Sequence, residues 1–219
     1  MYFRDRTHAG QELAAALSKY HKEKDTLVLA LPRGGVPVAF EVAEQLKLPL
    51  DVLLVRKLGV PGQREFAMGA IAEDNILYIN RDVVDLLDIP SPLVESVIKQ
   101  ETQELNRRRQ LYRHDRPAPN FDDKTIILID DGLATGATMH AAVNALKKTN
   151  SSHLIIAVPV GSLRTCKELE ELVDELICLH TPEPFDGVGR WYGDFSQTSD
   201  EEVESLLMQN RIQNNSCVD

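Results

Sequence analysis

The sequence predicts an α/β fold with a doubly wound, mainly parallel sheet and helices on both faces. Short apolar runs at 26–31, 50–55, 125–130 and 153–160 alternate with amphipathic helical patterns, and 176–179 is a candidate fifth strand. Parallel strands covered by helices on both faces are apolar at nearly every position, as these runs are. Repeated strand–helix–strand units favour right-handed crossovers in a single sheet.

The elements of the first half follow from local patterns. A helix is expected at 10–20 and another over Gly35–Leu46, where Ala39, Val42, Ala43 and Leu46 recur with helical spacing. The glycine- and proline-containing segment 59–68 is expected to be a loop. Two short strands should follow it and turn at 73–75.

The second half is expected to contain more helix. The longest predicted helix covers Ser91–Arg113, with Ser91 as a candidate N-cap and Pro92 at the first helical position. Ser199 and Glu202 form a capping-box pattern for a last helix. Two further helices should follow the third and fourth strands, at 137–150 and 163–176.

Size and composition fit one domain over 1–219 with a flexible tail at 211–219. The chain has 219 residues, of which 43% are hydrophobic, so a sizeable core can form. Its formal charge of −10 disfavours nucleic acid and anionic membranes as partners. Three scattered cysteines and the absence of a signal-peptide pattern favour a soluble protein of the reducing cytoplasm.

The stretch "TIILIDDGLATGAT", residues 125–138, carries the clearest chemistry. Asp130 and Asp131 fall at the carboxyl end of a predicted strand, where open α/β sheets bind ligands. Adjacent carboxylates need a metal, hydroxyl donors or backbone amides as compensation. The small loop after them offers backbone amides and a helix N-terminus to a phosphate. A sugar phosphate satisfies both parts, although an ordinary strand-ending turn with Thr138 as a helix cap would explain the same residues.

This stretch resembles the phosphoribosyl diphosphate (PRPP) signature of the type I phosphoribosyltransferases. "ALPRGGVPVAF" resembles that family's pyrophosphate loop, and "VRKLGVPGQREFAMGAI" resembles its basic dipeptide and mobile catalytic loop. "VPVGS" stands where a family loop lines the site. The resemblance implies the type I phosphoribosyltransferase fold. It also implies Mg²⁺-dependent transfer of phosphoribose from PRPP to a small nitrogenous, nucleobase-like acceptor, with release of pyrophosphate.

The resemblance also assigns roles. Asp130 and Asp131 would bind the ribose hydroxyls, directly or through Mg²⁺-bound water, and count as catalytic together with Arg64 and Glu65 of the mobile loop. The remaining PRPP-binding residues would be Arg33, Gly34, Gly35, Arg56, Lys57, Gly132, Ala134, Thr135, Gly136, Ala137 and Thr138. A non-proline cis peptide is expected at Pro32–Arg33. Without the resemblance, "PRGG" is an ordinary turn with a surface arginine, and the two basic residues after the next strand are solvated charges.

A hood over the acceptor is expected from the terminal segments 1–25 and 181–210. The acceptor-pocket residues are expected to be Val160, Trp191, Tyr192 and Phe195, while packing of a C-terminal arm explains the aromatics equally well. Phe3 and Arg6 are available from the N-terminal side.

Two other functions stay open. A PRPP-binding regulator would keep the acid pair without turnover, and a sugar-phosphate hydrolase would use a strand-end acid as nucleophile. Arginines at 107–109, 113 and 116 suit a helix C-terminus, or an RNA or subunit contact. The expected partners are PRPP or pyrophosphate and a small acceptor, and the sequence is compatible with a homodimer.

Overall fold

The computed structural model describes residues 2–73, 76–113 and 117–215, without the side chains of Arg64, Glu65, Asn214 and Asn215. The strands are β1 (Thr26–Ala30), β2 (Leu50–Val52), β3 (Val55–Val60), β4 (Gln63–Ala72), β5 (Leu77–Ile79), β6 (Thr125–Ile129), β7 (His153–Val160) and β8 (Glu175–His180). The α-helices are α1 (Arg6–Ala16), α2 (Gly35–Leu46), α3 (Arg81–Leu86), α4 (Ser91–Arg113), α5 (Ala137–Leu146), α6 (Leu163–Glu170) and α7 (Asp200–Asn215). Short 3-10 helices cover Ser18–Tyr20 and Val188–Trp191.

The chain divides into two compact units. The first comprises Met1–Val52, Phe121–Gly136 and Asn150–Asp219, and the second comprises Leu53–Asn120 and Ala137–Thr149. A single domain over 1–219 stays a prediction. No helix of the described residues is both long and apolar enough to cross a membrane.

The first unit is built on a five-stranded sheet in the order β2-β1-β6-β7-β8, and all its strand pairs are parallel. This confirms the predicted mainly parallel α/β class. The register pairs Thr26 with Thr125 and Ala30 with Ile129, so β1 and β6 end side by side. The segments that follow these strands therefore leave the sheet at neighbouring points of its carboxyl edge, where α/β sheets bind ligands.

The second unit contains an antiparallel sheet in the order β3-β4-β5, against which α4 and α5 pack. The prediction of a loop over 59–68 was wrong, because β3 and β4 form a hairpin in this segment. Val60 pairs with Gln63 across Pro61 and Gly62, and Gly62 has a φ of 81°. Proline followed by a left-handed glycine suits the central positions of a tight turn. Strand β4 therefore begins within the segment that the sequence predicted to be a loop.

Several boundaries differ from the sequence prediction. Helix α1 begins four residues early, because the Asp5 side chain accepts a hydrogen bond from the His8 amide and caps the helix. Helix α6 ends at Glu170 instead of continuing to 176, since the chain turns and enters β8 at Glu175. Helix α7 is capped by Ser199, whose Oγ accepts from the Glu202 amide as predicted. That helix continues through 211–215, the first part of the predicted tail, and 216–219 lie outside the described residues.

The arginines near the end of α4 pair with carboxylates of the second unit. Arg113 is buried, and its Nε donates to both carboxylate oxygens of Glu73 at 2.9 and 2.8 Å. Arg107 and Arg108 both pair with Glu104, whose pKa they lower to about 2. These carboxylates compensate the helix-end arginines within the second unit. Arg116 lies outside the described residues.

Candidate active site

The two acids follow β6 in the first unit and are partly buried. The Asp131 amide donates to Asp130 Oδ1 at 2.9 Å. Arg6, from the first turn of α1, reaches Asp131 with two nitrogens: Nε and Nη2 lie 2.9 and 2.8 Å from Oδ2. The pair is therefore compensated on one side by a guanidinium that lies 125 residues away in sequence.

The acids differ in their electrostatic environment. Burial raises the pKa of Asp130 well above its ordinary value, and the neighbouring Asp131 charge raises it further. Burial also raises the pKa of Asp131, while the charge and hydrogen bonds of Arg6 act in the opposite direction. A group that supplies cations or hydroxyl donors to these oxygens would offset the cost of ionising them.

The "PRGG" segment lies directly against the acid pair. The Pro32–Arg33 peptide is cis, as the resemblance implies. A methyl group at Gly34 would lie 2.0 Å from Asp131 Oδ2, and one at Gly35 would lie 2.8 Å from the Ile129 carbonyl oxygen. Only glycine allows this approach, because real Cβ contacts do not fall below about 3 Å. The Arg33 guanidinium remains 3.8 Å from Asp200 and partly exposed.

The loop after the acids is hydrogen-bonded to neighbouring segments, and its tip is exposed. Backbone hydrogen bonds join Leu133 to Val160 and to Ser162, and the Thr165 hydroxyl donates to the Ala134 carbonyl at 2.7 Å. Ala134 and Thr135 are exposed. Gly136 has a φ of 69°, which turns the chain before α5 begins at Ala137. The "VPVGS" segment thus supports the loop, and the exposed tip can receive an anion.

The predicted acceptor residues occupy different surroundings. Val160 and Tyr192 are buried in one apolar cluster with Phe3 and Ala9, and Trp191 packs against that cluster. The Tyr192 hydroxyl donates to the Asp131 carbonyl at 2.6 Å. Phe195 is 37% exposed. Tyr192 thus contacts the acid segment, and the contact of these four side chains with an acceptor stays a prediction.

Arg6 is the site residue whose role sequence reasoning missed. Its guanidinium carbon lies 4.0 Å from the centre of the Phe195 ring, and its Nη1 donates to the Ser196 carbonyl at 2.7 Å. The C-terminal segment therefore holds the Arg6 guanidinium against Asp131. The available signal was limited to a basic residue in a segment expected to join the hood.

The other predicted site residues belong to the second unit. Arg56 on β3 pairs with Glu101 of α4 at 2.7 Å, and Lys57 follows it on the same strand. Arg64 and Glu65 lie on β4, and their side chains are outside the described part of the chain. Ala137 and Thr138 begin α5. The catalytic and binding roles of these residues stay predictions.

Residues 4–189 match the family model of the phosphoribosyl transferase domain. The chain is 43% identical over 205 residues to Rv0571c of Mycobacterium tuberculosis H37Rv, whose name places it among the phosphoribosyl transferases. The alignment covers 94% of this chain but 46% of that protein, so the chain spans about half of the relative's length. A uracil phosphoribosyltransferase of Lactobacillus gasseri is 27% identical over 140 residues, covering 63% of this chain and 65% of that enzyme.

Among solved structures, TT1426 from Thermus thermophilus is similar with a TM-score of 0.86 and 39% sequence identity. The match covers 95% of this chain and 99% of that one.

Proposed function

Because this chain belongs to the phosphoribosyl transferase family, we propose that it transfers a phosphoribosyl group from PRPP to a small nitrogenous acceptor and releases pyrophosphate. The observation that carries the proposal is the contact between two motifs distant in sequence. Gly34 of "PRGG" lies so close to Asp131 that any side chain would collide with the carboxylate. A pyrophosphate loop and ribose-binding acids have to be neighbours if one molecule of PRPP is to contact both.

Different residues of the first unit then bind different parts of PRPP. Asp130 and Asp131 accept hydrogen bonds from the ribose hydroxyls, and the exposed tip of the following loop binds the 5′-phosphate through backbone amides. Arg33 and the two glycines after it hold the pyrophosphate, with a forked donor and with close backbone approach. Displacement at the anomeric carbon develops positive charge on the sugar ring, as in glycoside cleavage. Fixed carboxylates beside the ring stabilise that charge without forming a covalent bond.

The carboxylates also suit Mg²⁺, which prefers oxygen ligands and keeps several waters or substrate oxygens. The described residues contain no group of three or more potential metal-binding side chains. Asp130 and Asp131 would hold the ion, directly or through water, because carboxylate oxygens are ligands that Mg²⁺ prefers. When bound, Mg²⁺ neutralises the pyrophosphate that leaves.

In the second unit, we assign Arg56 and Lys57 to neutralising pyrophosphate and Arg64 and Glu65 to the catalytic segment. We expect Arg64→Ala to lower kcat more than it weakens PRPP binding, if Arg64 acts mainly in the transition state. Steady-state kinetics together with calorimetric PRPP affinity distinguish the two effects. Equal losses in affinity and in kcat/KM would show that Arg64 contributes uniform binding instead.

The first test is calorimetric titration of PRPP with and without Mg²⁺. We expect micromolar, Mg²⁺-dependent binding that is lost in the Asp130→Asn/Asp131→Asn variant. The matched control is Asp82→Asn/Asp85→Asn, which removes two exposed carboxylates from α3. Unchanged PRPP affinity in a folded acid-pair variant would refute the assignment.

Turnover is tested by pyrophosphate release with a panel of nucleobases. Uracil comes first, because one relative is named a uracil phosphoribosyltransferase. Base-dependent release would support the transferase. PRPP binding without release for any base would favour a PRPP-binding protein that lacks turnover.

A further inference from the structure

Two cysteines of the first unit converge beneath the loop that follows the acid pair. Cys166 lies on α6 and is buried, and Cys178 lies on β8 and is half-buried. A methyl group placed on Gly161 would lie 2.8 Å from the Cys166 sulfur and 3.3 Å from the Cys178 sulfur. The two sulfurs therefore flank the same glycine, in the space that a side chain would otherwise fill.

The thiols interact with each other. The Cys166 and Cys178 side chains are hydrogen-bonded, which lowers the pKa of Cys166 and raises the pKa of Cys178. The Cys178 sulfur also lies 3.2 Å from the His180 carbonyl oxygen. Cys166 is thus the thiol favoured as the thiolate, the form that attacks sulfur.

From this convergence we infer that Cys166 and Cys178 are a redox-active pair that small-molecule disulfides, such as glutathione disulfide, oxidise to an intrachain disulfide. Because Cys178 is the more exposed of the two sulfurs, it meets the small disulfide first, loses its proton and forms a mixed disulfide, which releases one thiol. Cys166 then attacks the Cys178 sulfur and releases the second thiol. In total the protein loses two electrons and two protons, and the oxidant is reduced to two thiols.

The neighbours of the pair connect it to the candidate active site. The Gly161 amide donates to the His180 carbonyl, and Gly161 bridges to Leu133 in the loop after the acids. Thr165, one residue before Cys166, donates to the Ala134 carbonyl of that loop. The chemistry of the pair is separate from the proposed transfer reaction, so the failure of either proposal leaves the other intact.

The test exposes the native chain to glutathione disulfide, traps free thiols with an alkylating agent and maps the peptides by mass spectrometry. We expect one intrachain disulfide between Cys166 and Cys178, and loss of alkylation at both. Cys217 is the competing thiol and lies outside the described residues. Both cysteines remaining free, separate glutathione adducts on each, or a disulfide to Cys217 would overturn the inference.

Matched variants use Cys217→Ser as the background. The parent retains both thiols and should end free of glutathione, because the second thiol displaces it. Cys166→Ala in that background should instead retain one glutathione on Cys178. A stable adduct on the parent would also overturn the inference, because it would show that Cys166 cannot reach the mixed disulfide.

Discussion

Substituting Gly34 by alanine tests how closely the two motifs approach. Gly34 is the N-cap of α2 and has helical backbone angles, φ −60° and ψ −31°, which alanine adopts without strain. Its Cβ, however, would lie 2.0 Å from Asp131 Oδ2 and 2.8 Å from Asp131 Cγ. Such overpacking typically costs about 1–3 kcal/mol. We therefore expect Gly34→Ala to destabilise the protein by about 1–3 kcal/mol.

A double-mutant cycle with Asp131→Ala isolates the cause. Without the carboxylate, the remaining close atom is Arg6 Nε at 3.3 Å, at the end of a flexible side chain. Gly34→Ala should then be nearly neutral, which gives a coupling energy of about 1–3 kcal/mol in urea unfolding followed by circular dichroism. The same cost in both backgrounds would refute the argument that the acid occupies the space of a side chain.

Gly35 supplies the control for this cycle. A Cβ there would lie 2.8 Å from the Ile129 carbonyl oxygen and 2.9 Å from Asp130 Cα, which are backbone atoms. Truncating a side chain does not move them, so Gly35→Ala should remain costly in the Asp131→Ala background. Relief of both glycine substitutions by the same truncation would indicate general loosening of the site.

Three further predictions concern buried charge. Asp130→Asn should raise the unfolding free energy at pH 7 by about 1–2 kcal/mol. Because the pKa of Asp130 is raised in the folded state, its protonated form contributes to stability. That contribution is fully present below a pH of about 4 and is lost as the pH rises through the folded-state pKa. The gain should therefore shrink on acidification, and a pH-independent gain in urea unfolding would contradict this cause. Arg6→Ala should raise the pKa of Asp131, measured by carboxyl-carbon NMR titration, whereas Arg6→Lys should raise it less because the charge remains. Arg113→Met should cost about 3–5 kcal/mol by thermal or urea unfolding, because it removes a buried counter-ion of Glu73. Replacing both partners by apolar residues should recover most of that loss, and equal instability of the single and double variants would argue against buried charge as the reason.

The elements predicted correctly from the sequence are those whose determinants lie within the element itself. Helices α2 and α4 and strand β7 have the predicted bounds, because their apolar spacing lies within the element. Ser91, the candidate N-cap of α4, is instead the first residue of that helix. The hairpin through 59–68 was missed because proline and glycine signal a turn and do not reveal how long the flanking strands are. The end of α6 was missed because a helical pattern of leucines and acids continues past Glu170.

The residues of the candidate site also differ in whether the sequence could predict them. The acids, their loop and "PRGG" could be found because each is a short motif with its own chemistry. The pairing of Arg6 with Asp131 could not, because nothing in either segment specifies a partner 125 residues away. The sequence predicts Tyr192 as an acceptor-pocket residue, with packing of a C-terminal arm as the alternative; its side chain is buried with its hydroxyl on the Asp131 carbonyl, and its contact with an acceptor stays a prediction.

The placement of Arg6 also constrains how the site can form during biosynthesis. The guanidinium belongs to α1, whereas the ring and the carbonyl that hold it, Phe195 and Ser196, are translated later, with Ser196 lying 190 residues after Arg6. At about 5–20 residues per second, the helix waits roughly 10–40 s for them. Until then Asp130 and Asp131 lack the complete surroundings that compensate their charge. A nascent chain stalled before these residues should therefore have an unfinished acid pair, even after the central strands are available to pair.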